Sequence, residues 1–188
     1  MKNLVAVICV IGSSEAIAGA VSSRMLPIPY YDWNACPFEC CTYREWEATD
    51  ALAAHSQRTD DSPVAFSIRK SEKIRALTGV VITTHAGMVK LLAPSKLGYS
   101  RTNASQEPEL DLKAGNMIYT LHYEGEGSYL FWYMGKTYSS GADDTIDGGD
   151  YKVVSQPTYV WWVKIRNKDG KTGWTKATDK FTNSDACG

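Results

Sequence analysis

An excess of charge of one sign is the first thing this sequence lacks. Lys and Arg number 20 against 21 Asp and Glu, for a formal net charge of −1 over 188 residues. A protein that grips nucleic acid neutralises phosphates with clustered cations, so no nucleic-acid partner is expected. Long apolar runs are also scarce. Beyond the N-terminus none approaches the roughly 20 residues that a helix needs to cross a bilayer, so no membrane span is expected. Histidine is rare: His55, His85 and His122 are the only three, and no two stand at a metal-ligand spacing. The Gly-x-Ser-x-Gly, phosphate-loop and His-Glu-x-x-His patterns are absent, and Glu45 and Glu47 flanking Trp46 do not by themselves make an acid–base pair. The reading is therefore non-enzymatic, with no cofactor and no metal. What is abundant is aromatic side chains (6 Trp, 11 Tyr, 4 Phe) and Gly (15), with few helical patterns. That mixture favours many short strands.

The N-terminus reads MKNLVAVICVIGSSEAIAGAVSS. Lys2 gives a short positive region, Leu4 to Gly12 an apolar one, and Ala16-Ile17-Ala18 the small residues that a signal peptidase reads. A secretory signal peptide over residues 1–18 is expected, and with it a secreted or periplasmic location.

Cleavage there would remove Cys9 and leave Cys36, Cys40, Cys41 and Cys187. Four is even, and an exported chain meets an oxidising compartment, so all four are expected in disulfides. A bridge between the adjacent Cys40 and Cys41 is discounted as strained. Two patterns stay open: Cys36–Cys40 with Cys41–Cys187, or Cys36–Cys41 with Cys40–Cys187. Either ties the end of the chain to residues 19–42, an N-terminal cysteine-bearing arm. A four-cysteine zinc site usually shows two C-x2-C pairs, which the C-x3-C-C spacing does not match. A thiol–disulfide oxidoreductase using Cys36, Cys40 and Cys41 is the enzymatic alternative.

Two segments align without gaps: FSIRKSEKIRAL (Phe66 to Leu77) and LDLKAGNMIYTL (Leu110 to Leu121), offset by 44. Each reads as a strand end, a turn at Ser71 or Gly115, and a second strand. RALTGVVITTHAGMVKLLAP reads as a hairpin about HAG, and GSYLFWYMGKTY as a strand with aromatic residues on both faces. SKLGYSRTNASQEPE, near residues 95–108, is a polar linker candidate. SSGADDTIDGGDYK, with Asp143, Asp144, Asp147 and Asp150, departs from a calcium-loop pattern and reads as a solvated loop. The clearest hairpin is YVWWVKIRNKDGKTGWT, where Asp169-Gly170 supplies a turn between Tyr159 to Arg166 and Lys171 to Thr175.

This last hairpin resembles the bacterial Src-homology-3-like (SH3-like) domains through Trp162, Ile165, Gly170, Gly173, Trp174 and Thr175, with LKAG at Leu112 to Gly115 as the basic–Gly turn upstream. Ser71 stands where that family has Gly, and no Gly-Trp closes the segment after HAG. The resemblance implies an all-β protein of two small SH3-like barrels in tandem, a degenerate one at 43–98 and a fuller one at 108–188. It also implies an exported binding module for cell-wall peptidoglycan, peptide or glycan, or for another envelope protein, with an accessory role to a cell-wall hydrolase as an alternative. Strand alternation puts Trp161, Val163 and Ile165 on the core face of their strand, and Trp162, Lys164 and Arg166 on the other. Trp162 and Lys164, with Tyr129 and Tyr133, are the candidate ligand-binding residues; the alternative for these aromatic rings is packing against the other barrel or the N-terminal segment, and Trp162 as a ligand anchor is expected to be dispensable for folding.

Overall fold

The computed structural model describes residues 25–98, 110–140 and 151–187. The expected leader, the four aspartates from Asp143 to Asp150 and most of the expected linker lie outside these residues. The described chain is all-β, with no α-helix and one 3-10 turn at Thr178–Lys180.

The strands are β1 (Tyr30–Trp33), β2 (Glu45–Ala48), β3 (Leu52–His55), β4 (Val64–Ile68), β5 (Lys73–His85), β6 (Gly87–Leu91), β7 (Ser95–Leu97), β8 (Leu110–Leu112), β9 (Met117–Gly125), β10 (Ser128–Tyr133), β11 (Lys136–Ser140), β12 (Tyr151–Ser155), β13 (Thr158–Arg166), β14 (Thr172–Thr175) and β15 (Phe181–Thr182). They form a larger sheet in the order β15-β2-β5-β13-β14-β3-β4, with β1 also on β5, a smaller sheet in the order β11-β10-β9-β6-β12, and the pair β7-β8.

One strand order occurs twice. β15-β2-β5-β13-β14 in the larger sheet corresponds, position for position, to β12-β6-β9-β10-β11 in the smaller. The β3-β4 pair corresponds to β7-β8. The aligned segments of the sequence are the junctions of this repeat. Ser71 N–H donates to the Ala48 carbonyl at 2.7 Å, and Ala48 N–H donates to the Glu72 carbonyl at 3.0 Å. Gly115 N–H donates to the Leu91 carbonyl at 2.8 Å, and Leu91 N–H to the Asn116 carbonyl at 3.0 Å. Both turn residues sit in the left-handed region, Ser71 at φ 62° and Gly115 at φ 86°, a conformation glycine adopts without cost and serine does not.

The arrangement differs from the expected tandem, because one unit is nested inside the other. β5 pairs with β13 along most of its length, from Thr158 opposite His85 to Arg166 opposite Arg75. The Gly173-Trp174 strand that the first unit lacked therefore reaches it from the far end of the chain. The HAG segment is not a hairpin: β5 and β6 belong to different sheets, and the chain crosses between them there. A Cβ at Gly87 would fall 2.8 Å from Pro157 and from the Ser155 carbonyl, so the outgoing and returning crossings run side by side. The divisions at 98 and 108 thus do not separate the sheets. Residues 87–155 supply the smaller sheet, and Ser95–Leu97 is a strand rather than linker. GSYLFWYMGKTY is itself a hairpin, turned at Met134 and Gly135 (φ 50° and 91°), the two-residue turn whose twist matches antiparallel strands.

Each sheet encloses an apolar cluster. Trp46, Ile68, Ile74, Val163, Ile165 and Phe181 fill the larger, with Trp161 packed against them. Val89, Leu112, Ile118, Phe131 and Tyr138 fill the smaller. Burying one such side chain fully is worth about 1.5–3 kcal/mol. The thirteen residues of β5 serve several surfaces. Ile74 and Ala76 enter the first cluster. Farther along, Thr83 Oγ1 donates to the Leu121 carbonyl of the smaller sheet at 3.0 Å, while Val80 and Ile82 cluster with Trp162 on the opposite face.

The cysteines resolve to Cys36–Cys41 and Cys40–Cys187, the second spanning 147 positions. Ala186 N–H donates to the Cys40 carbonyl and Thr42 N–H to the Ser184 carbonyl, both at 2.9 Å. The arm also packs on the smaller sheet, where a Cβ at Gly125 would lie 2.5 Å from the Glu39 nitrogen. The clamp therefore joins three parts of the chain.

Candidate functional site

β1 was legible only as part of the cysteine-bearing arm, yet it helps to build an aromatic surface on the larger sheet. It pairs with the far half of β5, placing Tyr31 opposite Ile82 and Trp33 opposite Val80. On the other side of β5, Val160 stands opposite Ile82 and Trp162 opposite Val80. Beyond β13, Lys164 faces Trp174. Because residues directly opposite in a sheet share a face, these form one continuous surface: Tyr31, Ile82 and Val160 in one row, Trp33, Val80 and Trp162 in the next.

The loop from Ser56 to Pro63 folds over this face. Ser56 N–H donates to the Pro63 carbonyl at 2.8 Å and Gln57 N–H to Ser62 Oγ at 3.1 Å. His55 Nδ1 lies 3.0 Å from the Ser62 carbonyl, which can only accept, so Nδ1 carries the hydrogen. The loop thereby delivers Arg58, whose guanidinium carbon lies 4.8 Å from the Trp33 ring centroid and 5.0 Å from that of Trp174. Such cation–π contacts are worth about 0.5–2 kcal/mol each, depending on exposure. Tyr31 stacks on Trp33 at 6.0 Å with 14° between the planes. Beside them is a groove of about 410 Å³, lined by Tyr31, Ser56, Gln57, Arg58, Ile82 and Trp174.

Trp162 does not line the groove but is buried beside it with Val80 and Ile82. It is 4% exposed, in edge contact with His55 and covered by the Lys176 ammonium 5.8 Å from its ring. Strand alternation gives its face but not its burial, which comes from Val80 and Ile82 of β5, His55 of β3, Trp174 of β14 and Lys176. Lys164 lies on the same face, its ammonium 5.9 Å from the Trp174 ring. Tyr129 and Tyr133 belong to the smaller sheet, half-buried against its core, and do not line the groove. Tyr129 instead borders a separate hollow with Tyr123, Gln156, Pro157 and Tyr159. The exposed anchors Tyr31 and Trp33, at 42% and 53%, left one trace in the sequence: the alternation in YYDWN.

Behind the site, Trp161 Nε1 donates to the Tyr43 hydroxyl at 3.3 Å, and that hydroxyl donates to the Ala35 carbonyl. Burial pushes the Tyr43 hydroxyl up to about 12, with the Asp32 charge adding to it and the Trp161 hydrogen bond opposing. At the clamp, the Glu39 carboxyl is raised by its hydrogen bond with Glu126 and then by that residue's charge. Glu39, Cys40 and Cys187 bring donor atoms together, but both sulfurs are taken by the disulfide.

Compared with family models, curated proteins and solved structures, the chain gives no match.

Proposed function

We propose that this protein is an exported, non-enzymatic binding module, and that its ligand face is the groove beside Trp33, Arg58 and Trp174. The observation that carries the reading is the pair of indoles converging on one guanidinium at the edge of an open groove, on a surface also holding Tyr31. Trp, Tyr and Arg dominate binding hot spots because they bury large area with little loss of rotational freedom. The two disulfides are compatible with an extracellular or periplasmic setting, and no described helix is long and apolar enough to cross a membrane. The repeated strand order and the Trp162 to Thr175 hairpin support a pair of SH3-like units, one inserted in the other. From that resemblance the target is bacterial cell-wall peptide or glycan, or an envelope protein.

Co-sedimentation of the mature protein with purified bacterial cell wall tests this. Wild type is expected in the pellet, and Trp33→Ala is expected to fold and bind at least about tenfold more weakly, the loss of one anchor. Failure of the wild type to sediment would remove the cell wall as target, and full binding by Trp33→Ala would move the ligand face elsewhere.

A further inference from the structure

We propose that Arg58 receives a carboxylate of the ligand, so that the module recognises an acidic chain rather than a neutral one; this rests on the groove being the ligand face. The argument begins with what Arg58 does not do. Among the described residues its guanidinium has ring contacts with Trp33 and Trp174 and no carboxylate or carbonyl partner. The neighbouring Lys176 ammonium is instead met by Asp60. An arginine half-shielded from water keeps its charge and five N–H donors, and stacking on rings occupies its faces while leaving its edge for acceptors.

The surroundings fix that edge in place. The carrying loop is pinned through Ser56, Gln57 and Ser62, and the two indoles hold the planar group from their own strands. A fork held this way loses little freedom when it binds, and its geometry matches the two oxygens of a carboxylate. Lys164, its ammonium 5.9 Å from the Trp174 ring centroid, adds a second positive charge on the same face. The other groove residues suit the rest of such a ligand: Ile82 and the Trp174 and Tyr31 rings take an apolar or ring portion, while Ser56 and Gln57 offer hydroxyl and amide partners.

The experiment measures binding of the disulfide-intact protein to purified bacterial cell wall in three forms: native, carboxylates capped as methylamides with carbodiimide, and stripped of phosphate polymers by hydrofluoric acid. The inference expects wild-type binding to fall at least tenfold on the amidated wall and to persist on the stripped one. Arg58→Gln should lose a similar factor on native wall and show no further loss on amidated wall. Arg58→Lys, a point charge without the fork, should recover only part. Melting temperatures establish that both variants fold. Equal wild-type binding to native and amidated wall would overturn the carboxylate reading while leaving the binding module intact. Loss on the stripped wall alone would assign the anion to phosphate and overturn it as well. No binding to native wall would overturn the proposed function itself.

Discussion

Asp32 of β1 and His122 of β9 meet in the interior where the larger and smaller sheets face each other, with Asp32 Oδ2 2.9 Å from His122 Nε2. The other ring nitrogen, Nδ1, lies 2.8 Å from the Tyr123 carbonyl. Since a carbonyl only accepts, Nδ1 donates there, and Nε2 faces the carboxylate. Both partners are buried, so the contact fixes the N-terminal strand to the inserted unit at a point where water cannot substitute.

Removing one member therefore takes a buried hydrogen-bond partner from the other. Asp32→Ala or His122→Ala is expected to cost about 2–4 kcal/mol, and the double variant distinctly less than the sum. Urea titration of all four proteins checks this, and strict additivity would mean that the two side chains are not coupled.

The Cys40–Cys187 bridge closes a loop of 147 positions. On the chain-entropy account its loss costs about 4–5 kcal/mol. Reduction, or Cys187→Ser, should lower the melting temperature clearly while leaving the far-ultraviolet signature of β-structure, because each sheet keeps its own core. Alkylation of unreduced protein that begins at residue 19 should label no cysteine.

Trp162 and Trp33 should behave in opposite ways. Trp162→Ala opens a cavity beside the groove and is expected to cost about 3–5 kcal/mol, whereas Trp33→Ala, at an exposed position, should change stability little and binding strongly. Parallel thermal melts and binding curves separate the two; a Trp162→Ala protein as stable as wild type would contradict the placement of that ring.

Tyr43 gives a pH dependence of definite sign. Its hydroxyl stays protonated in the fold up to about 12, whereas in the unfolded chain it ionises near 10. Below about pH 10 the contribution is fully present; it is lost as pH rises toward 12, because the unfolded state releases its proton first. Wild type should therefore lose more stability than Tyr43→Phe between pH 9 and pH 11 in urea titrations. Equal losses would show that this hydroxyl is not the group responsible.

Local chemistry was legible in the residues themselves. Alternation in YVWWVKIR gave the core face of β13, Asp169-Gly170 gave its turn, and the Phe66 and Leu110 segments announced a repeat whose turn residues do share a left-handed conformation. Cysteine count and spacing narrowed the pairing to two patterns, but choosing Cys36–Cys41 with Cys40–Cys187 needed the fold of the arm around Cys40. Tertiary structure alone decided that β5 pairs with β13 rather than with β6, since hydrogen bonding between strands some eighty residues apart leaves no local mark. For the same reason Trp162 could be assigned a face but not an exposure: its neighbours Val80 and Ile82, His55 and Trp174 come from β5, β3 and β14. Alternation is a property of one strand, while burial and the meeting of Trp33, Arg58 and Trp174 are properties of several strands brought together.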